Sequence, residues 1–381
     1  MRFDFSFHNP TRIVFGRNKE AAIGAELAAA GIRSVLLVYG GGSIRQNGLY
    51  DRVIQSLEAA GVARAEHGGV KSNPVLSHAL EGVKTAQACG AQAVLAVGGG
   101  SVIDEAKAIA VGAVNEGDLW DFYTARRIEK ALPVYTILTL AASGSEMNGN
   151  SVLTNEATRQ KYSFNSIHTY PRLSILNPEL TFSVNAAYTA YGAVDAIAHV
   201  IEGYFTKAPG TPLQDELVET IIRSVMRSAA KCLDNPSDYE GRAELMWAAT
   251  LALNGLTPAG IGAYAFPNHA IEHALSALFD VPHGAGLAVV MPAWMRWHLP
   301  QNRAQYERFA RTVFGVDNAE AGIAALEAWF RSTGAPTRLG ELGIEASQIP
   351  AIAQNAARLC ADWRLPEYTE AVVAQILTGA L

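Results

Sequence analysis

The sequence has few cysteines, no cluster of basic residues and no long apolar run, and each absence excludes a class of protein. Its three cysteines, Cys89, Cys232 and Cys360, are scattered and odd in number, which indicates free thiols in a reducing cytoplasm rather than a disulfide framework. A net charge of −6 without a basic run argues against nucleic acid or an anionic membrane as a partner. No uncharged apolar stretch reaches the length of about 18 residues that a membrane span needs, and no secretory signal is expected.

Three sequence motifs that would identify a nucleotide site or a zinc site directly are also missing. Neither glycine run, at 40–43 or 98–101, is a full G-x-G-x-x-G, because position 45 is Arg and position 103 is Ile. The chain contains no His-Glu-x-x-His and no cysteine pairs, which excludes the zincin motif and the zinc ribbon. Any nucleotide or metal site therefore has to be argued from less direct patterns.

The 381 residues are 49% hydrophobic, and the pattern of the sequence differs between an N-terminal and a C-terminal part. Residues 1–184 alternate short β-branched runs with amphipathic segments, which predicts an α/β dinucleotide-binding domain with a parallel sheet and flanking helices. Residues 185–381 are rich in Ala and Leu with helical periodicity, which predicts an all-α domain. The expected strands are 35–39, 93–97, 133–138 and 173–176, with a weaker strand near 63–66 and a hairpin formed by 151–154 and 160–164.

A glycine loop between a strand and a helix is suited to bind a phosphate, because it presents backbone N–H groups and a helix N-terminus to an anion. Residues 98–101 have this arrangement, and Ser101 could cap the helix or donate to a phosphate oxygen. Asp104 has two readings: a first-turn carboxylate that favours the helix dipole, or a contact to the ribose or nicotinamide.

The loop at 40–43 bears on the choice of coenzyme. An NAD-selective site usually has an acidic side chain after the strand, where it binds the ribose hydroxyls. Here no Asp or Glu follows residues 35–39 until Asp51, and the loop offers backbone N–H groups, Ser43 and the nearby Arg45. These features favour NADPH over NADH, whereas a plain β–α turn with glycines at positive φ is the alternative.

Histidines are concentrated between residues 266 and 292. His269 and His273 are four residues apart, so they lie on one face of a helix, and His283 follows in a turn that can fold back toward that face. Asp195 and His199 repeat the spacing on an apolar segment, where a carboxylate has a large desolvation cost unless a cation meets it. A single such histidine is usually a hydrogen-bonded core residue, but together these groups predict a shared divalent metal.

Taken together, these motifs resemble the iron-containing (group III) alcohol dehydrogenase family over nearly the whole chain, and in particular its NADPH-dependent aldehyde reductase and butanol dehydrogenase branch. The matching segments are the entry strand 11–16, the phosphate loop 98–104, the nicotinamide loop with Thr139 and 143–146, the pair Asp195 and His199, and the spacing His269-x3-His273-x9-His283. Leu140 departs from the family, where many relatives have a second Thr, and Asn150 makes the lining of the pocket uncertain.

The resemblance implies a role for each of these residues. Asp195, His199, His269 and His283 would bind Fe²⁺ or Zn²⁺, and His273 would lie beside the metal as a proton relay. Lys161 reads from sequence alone as a solvated strand charge, but the resemblance places it at the coenzyme. The residues implied to bind NADP(H), or NAD(H), are Gly40, Gly41, Gly42, Ser43, Asn73, Gly98, Gly99, Gly100, Ser101, Asp104, Thr139, Leu140, Ser143, Asn148 and Lys161.

The expected reaction is hydride transfer between the coenzyme and a small uncharged aldehyde or primary alcohol such as butyraldehyde or butanol. No Arg or Lys cluster surrounds the histidines, which argues against a phosphorylated substrate and against a lyase of the dehydroquinate synthase type. A glycerol dehydrogenase-like polyol oxidoreductase that uses NAD is the nearest alternative, and a non-catalytic metal or nucleotide sensor is another. The resemblance also implies a homodimer.

Overall fold

A computed structural model describes residues 3–381, and contacts along the chain divide it into two compact units. One unit contains residues 8–184 together with 237–246, and the other contains 3–7, 185–236 and 247–381. Two segments thus differ from the predicted domain ranges: 3–7 packs with the helical unit, and 237–246 with the α/β unit. Residues 1 and 2 of the predicted first domain lie outside the described residues.

A six-stranded sheet and a two-stranded hairpin form the α/β unit. The strands are β1 Arg12–Phe15, β2 Ser34–Gly40, β3 Ala63–Val70, β4 Ala93–Gly98, β5 Val134–Leu138, β6 Asn150–Asn155, β7 Gln160–Asn165 and β8 Leu173–Leu176. The sheet has the order β1-β8-β5-β4-β2-β3 with parallel neighbours, and β6 pairs antiparallel with β7. The predicted parallel sheet and the predicted hairpin are both confirmed.

Helices cover this sheet because its central strands are apolar on both faces. All six residues of β4 are buried, as are all five of β5, and a strand of this kind needs helices on either side. The helices of the unit are α1 Ile23–Ala29, α2 Ser43–Gln46, α3 Leu49–Ala59, α4 Leu76–Ala88, α5 Gly100–Gly112 and α6 Asp121–Thr124. Leu27, Val53 and Leu57 from α1 and α3 pack with Leu37 and Leu95 of the sheet in one continuous core.

The loops after β2, β4 and β5 lie side by side because parallel strands end at the same edge of a sheet. β4 pairs with β2 on one side and with β5 on the other. The backbone N–H of Thr139, directly after β5, donates to the carbonyl of Gly98 at 3.0 Å. This edge therefore brings together the glycine loops and the segment that follows β5, as expected for a nucleotide site in an open parallel sheet.

The helical unit is built from long segments whose buried faces match their Ala- and Leu-rich sequence. Asn185 caps the first of them by accepting from the N–H of Tyr188 at 2.8 Å. The helices after residue 185 are α7 Ala186–Thr206, α8 Pro212–Asp234, α9 Tyr239–Ala252, α10 Pro267–Phe279, α11 His283–His298, α12 Arg303–Phe309, α13 Ala319–Ser332, α14 Ile349–Asp362 and α15 Glu370–Thr378. Within residues 3–381, no helix has both the length and the apolar composition needed to cross a bilayer.

Close contact between α7 and α11 depends on Gly284. A Cβ atom built on Gly284 would lie 2.1 Å from the carbonyl oxygen of Tyr191 in α7, well inside van der Waals contact. Because the obstructing atom belongs to backbone, relief requires a shift of one helix against the other. This glycine therefore sets the position of the first turn of α11.

We predict that Gly284→Ala destabilises the protein by about 1–3 kcal/mol, because the added methyl group forces these helices apart. Thermal unfolding followed by circular dichroism should show a melting temperature several degrees below that of the unchanged protein. Gly340→Ala is the matched control, since a Cβ there meets no atom within 4 Å. Equal melting temperatures for the two variants would show that α7 and α11 are not in this close contact.

Candidate functional site

Three helices of the helical unit bring the predicted metal ligands together. Asp195 and His199 lie one turn apart on α7, and His269 lies near the start of α10. From Asp195 Oδ1, the Nε2 atoms of His199, His269 and His283 are 3.4, 3.8 and 3.6 Å away. All but His283 are at least nine-tenths buried. The three histidines predicted to share a site with Asp195 therefore converge on one oxygen of its carboxylate.

His283 reaches this cluster from a different local structure than predicted. The sequence suggested a turn, but His283 is the first residue of α11, directly after Pro282. Proline before a helix fixes the entry direction of the chain, and the contact of Gly284 with α7 places this end of α11 against the helix that carries Asp195. The prediction of a turn at His283 was wrong, whereas the return of its side chain toward His269 is observed.

Two carboxylates that sequence reasoning missed orient the imidazoles. Glu202 Oε1 is bonded to Nδ1 of His269, and Glu272 Oε2 is bonded to Nδ1 of His283. Both glutamates are fully buried. Each bond directs the Nε2 of its histidine toward Asp195, the arrangement in which an outer carboxylate fixes the tautomer of a metal-binding imidazole. The sequence did carry a signal for these glutamates. Glu202 is seven residues after Asp195, and Glu272 is three residues after His269, so each is near the helix face of a predicted ligand.

The cluster fits a divalent cation by two tests. Asp195 Oδ1 and His269 Nε2 are buried atoms without a hydrogen-bond partner, which is costly unless an ion satisfies them. Tetrahedral coordination with bonds of about 2.0–2.1 Å places ligand atoms about 3.4 Å apart, close to the separations measured from Asp195. Imidazole nitrogens with one carboxylate oxygen suit Fe²⁺ or Zn²⁺. These residues could therefore hold such an ion.

The pKa values of the cluster determine how the affinity for an ion depends on pH. Burial lowers the pKa of His199 to about 3, so this imidazole is neutral and able to coordinate at neutral pH. Burial acts in the same direction on His269, but the carboxylates of Glu202 and Asp195 outweigh it and raise the pKa of His269 to about 10. Burial acts to raise the pKa of Asp195, yet the surrounding imidazoles produce a net downward shift. An incoming metal must displace the proton from His269, so affinity falls as the pH is lowered.

His273 lies next to this cluster, one helical turn after His269. Its ring centroid is 5.7 Å from that of His283 and 6.5 Å from that of His269, and it packs edge-on against Trp363 at 5.6 Å. The side chain is almost fully buried. This position is compatible with the predicted place beside the site.

In the α/β unit, the second glycine loop joins β4 directly to α5. A Cβ on Gly100 would lie 2.1 Å from Oγ of Ser143, so this loop closely approaches the segment after β5. Gly99 is the N-cap residue, and Ser101 lies inside the helix with its hydroxyl donating to the carbonyl of Ser72. Ser101 is therefore not the helix cap that the sequence allowed.

Asp104 and Lys107 of α5 hold the segment after β5 in place. Asp104 is buried and accepts hydrogen bonds from Ser145 Oγ at 2.5 Å and from the N–H of Val152 at 3.1 Å. It lies beyond the first turn of α5, so the reading of Asp104 as a first-turn carboxylate was wrong, whereas its contact with the coenzyme stays a prediction. Lys107 is fully buried, and its ammonium lies 2.7–2.9 Å from backbone carbonyls of Ser145, Asn148 and Asn150. Burial lowers the pKa of Lys107 to about 8, against the effect of Asp104. Sequence reasoning missed Lys107, although a lysine inside an apolar helix was a visible signal.

Other residues implied to bind the coenzyme lie around the same edge of the sheet. Asn148 donates through Nδ2 to the carbonyl of Gly144 at 2.8 Å, and its Oδ1 accepts from the N–H of Asn150 at 2.9 Å. Lys161 of β7 donates to Oδ1 of Asn73 at 3.1 Å, and both side chains are buried. The reading of Lys161 as a solvated strand charge was therefore wrong.

The loop after β2 leaves room for a ligand. A Cβ on Gly41 meets no atom within 4 Å, and Gly42 has a φ of 128°, which favours glycine. Arg45 donates to Tyr39 Oη at 2.7 Å and to Glu66 Oε2 at 3.2 Å. The guanidinium that the sequence assigned to a 2′-phosphate thus already has a carboxylate partner on β3.

Comparison with protein families gives matches over most of the chain. Residues 10–178 match the model described as iron-containing alcohol dehydrogenase. Residues 189–381 match the model of the C-terminal part of the Fe-containing alcohol dehydrogenase family. The two matches meet near the predicted change from alternating strands and helices to helices alone.

Individual relatives cover nearly the full length. The chain is 44% identical over 363 residues to a probable NADH-dependent butanol dehydrogenase 1 of Bacillus subtilis, covering 93% of each chain. It is 34% identical over 359 residues to the NADPH-dependent aldehyde reductase YqhD of Escherichia coli, covering 92% of each. A crystal structure of NADH-dependent butanol dehydrogenase A from Thermotoga maritima superposes with a TM-score of 0.97 at 44% identity, covering 100% of this chain and 99% of the other.

We predict that Glu202→Gln lowers the affinity for Fe²⁺ or Zn²⁺ by about 10–100-fold, because the imidazole of His269 loses the carboxylate that orients it. Competition with a chelator measures this affinity directly. Glu219→Gln is the control, since Glu219 is a buried carboxylate of the same unit whose donors are Tyr204 and Arg308, not the metal-site histidines. An equal loss of affinity in both variants would contradict the role given to Glu202.

Proposed function

Because this chain belongs to the iron-containing alcohol dehydrogenase family, we propose that it transfers hydride between NAD(P)H and a small uncharged aldehyde or primary alcohol at a divalent metal. The observation that carries the proposal is the convergence of Asp195, His199, His269 and His283 in the helical unit. The relatives named as butanol dehydrogenases and an aldehyde reductase support this reaction over the polyol oxidoreductase considered as the alternative.

The four converging side chains would hold Fe²⁺ or Zn²⁺, and a bound ion would supply Lewis-acid polarisation of the carbonyl oxygen. Glu202 and Glu272 contribute by fixing the orientation of two imidazoles before substrate arrives. Burial of Asp195, His199 and His269 excludes water, which strengthens electrostatic interactions with the charge that develops on the substrate oxygen.

Proton transfer to the alkoxide needs a group near the ligands, and we assign this role to His273. Its ring lies beside those of His269 and His283. An imidazole that is not held by a metal can accept and donate a proton near neutral pH. His273 would act directly or through water or the ribose hydroxyls of the coenzyme.

The coenzyme would bind at the carboxyl edge of the sheet and supply the hydride. Gly98, Gly99, Gly100 and Ser101 would approach the pyrophosphate, since their backbone lies at the N-terminus of α5. The ordered segment held by Asp104 and Lys107 would contact the nicotinamide end through Thr139, Leu140, Ser143 and Asn148. Asn73 and Lys161 would add a buried polar pair to the same site.

For the adenosine end we propose Gly40, Gly41, Gly42 and Ser43, with NADPH favoured. The loop carries no acidic side chain to repel a 2′-phosphate. Because Glu66 neutralises part of the charge of Arg45, the preference rests mainly on the loop, and NADH should be accepted as well. Relatives named for NADH and for NADPH support acceptance of both coenzymes.

We further propose a cytoplasmic homodimer. The three cysteines are free thiols, which supports a reducing compartment. Phe3, Phe5 and Phe7 each expose between 44% and 50% of their surface, and a run of exposed aromatic rings supports an interface with a second copy.

We predict that Asp195→Ala loses the metal held by His199, His269 and His283 and loses activity with it, while the protein stays folded. Removal of this carboxylate takes away the only anionic ligand and the atom on which the three imidazoles converge. Metal content by mass spectrometry, circular dichroism, and rates on butyraldehyde with NADPH and NADH measure the three properties. Asp317→Ala, at an exposed position, should leave all of them unchanged. Full metal and activity in Asp195→Ala would remove Asp195 from the site.

A second prediction concerns coenzyme choice. Gly41→Asp should lower the ratio of kcat/KM for NADPH to that for NADH about tenfold, because the new carboxylate repels the 2′-phosphate. Gly41 is suited to this test, since a side chain there meets no neighbouring atom. Gly41→Asn has nearly the same size without the charge and should keep the original ratio. The same ratio in all three proteins would show that this loop does not contact the adenosine ribose.

A further inference from the structure

A second cluster of metal-ligand side chains lies in the α/β unit, on elements that carry none of the four ligands above. His67 is on β3, His78 in the first turn of α4, and Glu105 on α5. Oε1 of Glu105 lies 3.0 Å from Nε2 of His67 and 2.6 Å from Nδ1 of His78. The two rings are 4.1 Å apart, and one ligand atom from each side chain lies within 4.8 Å of the others.

The second carboxylate oxygen of this cluster has no partner. Glu105 is 1% exposed, and its Oε2 is a buried atom without a hydrogen bond to any residue that the structure describes. A buried carboxylate normally requires hydrogen bonds to both oxygens or a compensating positive charge. Two imidazoles that meet at the same oxygen leave Oε2 unsatisfied. The cluster therefore lacks a hydrogen-bond donor or a cation at this oxygen.

None of the three residues is needed by the reaction proposed above. Asp104 and Lys107, the neighbours of Glu105 on α5, contact the segment after β5, whereas Glu105 contacts β3 and α4. No coenzyme contact is assigned to His67, His78 or Glu105. A buried carboxylate with two histidines in that position calls for a separate explanation.

We propose that His67, His78 and Glu105 bind a second divalent cation, and that the ion is Zn²⁺. Two imidazole nitrogens and one carboxylate oxygen form a ligand set that zinc takes up with tetrahedral geometry, with water in the fourth position. Bonds of about 2.0–2.1 Å require ligand atoms about 3.4 Å apart, so the distances from Glu105 Oε1 to the two imidazole nitrogens must lengthen when the ion binds. His78 is 23% exposed and gives the ion a path from solvent.

The location of this zinc site indicates what the ion does. β3 is an edge strand with β2 as its partner in the sheet, and its sequence includes Gly68 and Gly69 and only one β-branched residue, Val70. Such a sequence is a weak strand former. A zinc ion shared by β3, α4 and α5 fixes this edge strand to two helices of the unit. The ion thus stabilises the unit that carries the glycine loops.

Counting zinc per chain tests the proposal. Protein stripped of metal is loaded with Zn²⁺ alone, desalted and measured by mass spectrometry. We expect about two ions in the unchanged protein, about one in Asp195→Ala, about one in Glu105→Gln, and almost none when both changes are combined. Equal zinc content in Glu105→Gln and the unchanged protein would overturn the second site, as would an Asp195→Ala protein without zinc.

A second measurement tests the site by replacing His78, without any change to the buried Glu105. In the Asp195→Ala background, added Zn²⁺ should raise the melting temperature by a few degrees, and His78→Ala should abolish this rise. His168→Ala, which changes an exposed histidine of the same unit, should preserve it. An identical rise with and without His78 would overturn the proposal. Since these proteins lack Asp195, the result stands whether or not the proposed oxidoreductase function holds.

Discussion

Desolvation of carboxylates inside apolar helices is the constraint on which the helical unit depends. Asp195, Glu202 and Glu272 are all buried, and each would destabilise the fold if it faced only apolar neighbours. The structure meets this constraint with imidazoles, since Glu202 and Glu272 each bind one histidine, and Asp195 lies at the point where Nε2 atoms converge. A divalent cation at that point completes the compensation, so the proposed chemistry and the stability of the helices have a common origin.

In the α/β unit, buried backbone carbonyls also need compensation, and a lysine side chain supplies it. The segment after β5 turns several backbone carbonyls inward, and the ammonium of Lys107 accounts for three of them. Asp104, one turn earlier on α5, holds the same segment through Ser145 and Val152. One helix thus begins at the glycine loop and also orders the neighbouring loop, which connects the two parts of the nucleotide site at the edge of the sheet.

Much of the fold and of the metal site could be predicted from the sequence, because these parts follow from local patterns. Short runs of β-branched residues predicted the sheet, and the four-residue spacings predicted the helix faces with Asp195, His199 and His269. The rest depends on tertiary contacts. Nothing in the residues around Lys161 indicates its burial against Asn73. The position of the helix that starts at His283 depends on the contact of Gly284 with α7, which the local sequence does not show. Glu202 and Glu272 had the right spacing but belong to no motif.

The orienting carboxylates connect the three helices in a definite order. α7 supplies Asp195 and His199 and also the glutamate that holds His269; α10 supplies His269 and also the glutamate that holds His283 at the start of α11. The tautomer of His269 on α10 thus depends on α7, and the tautomer of His283 on α11 depends on α10. A protein engineer who transplanted only the four coordinating side chains into a new helical bundle would leave two imidazoles free to rotate. The transferable unit is six residues on three helices, together with the glycine that lets the third helix approach the first.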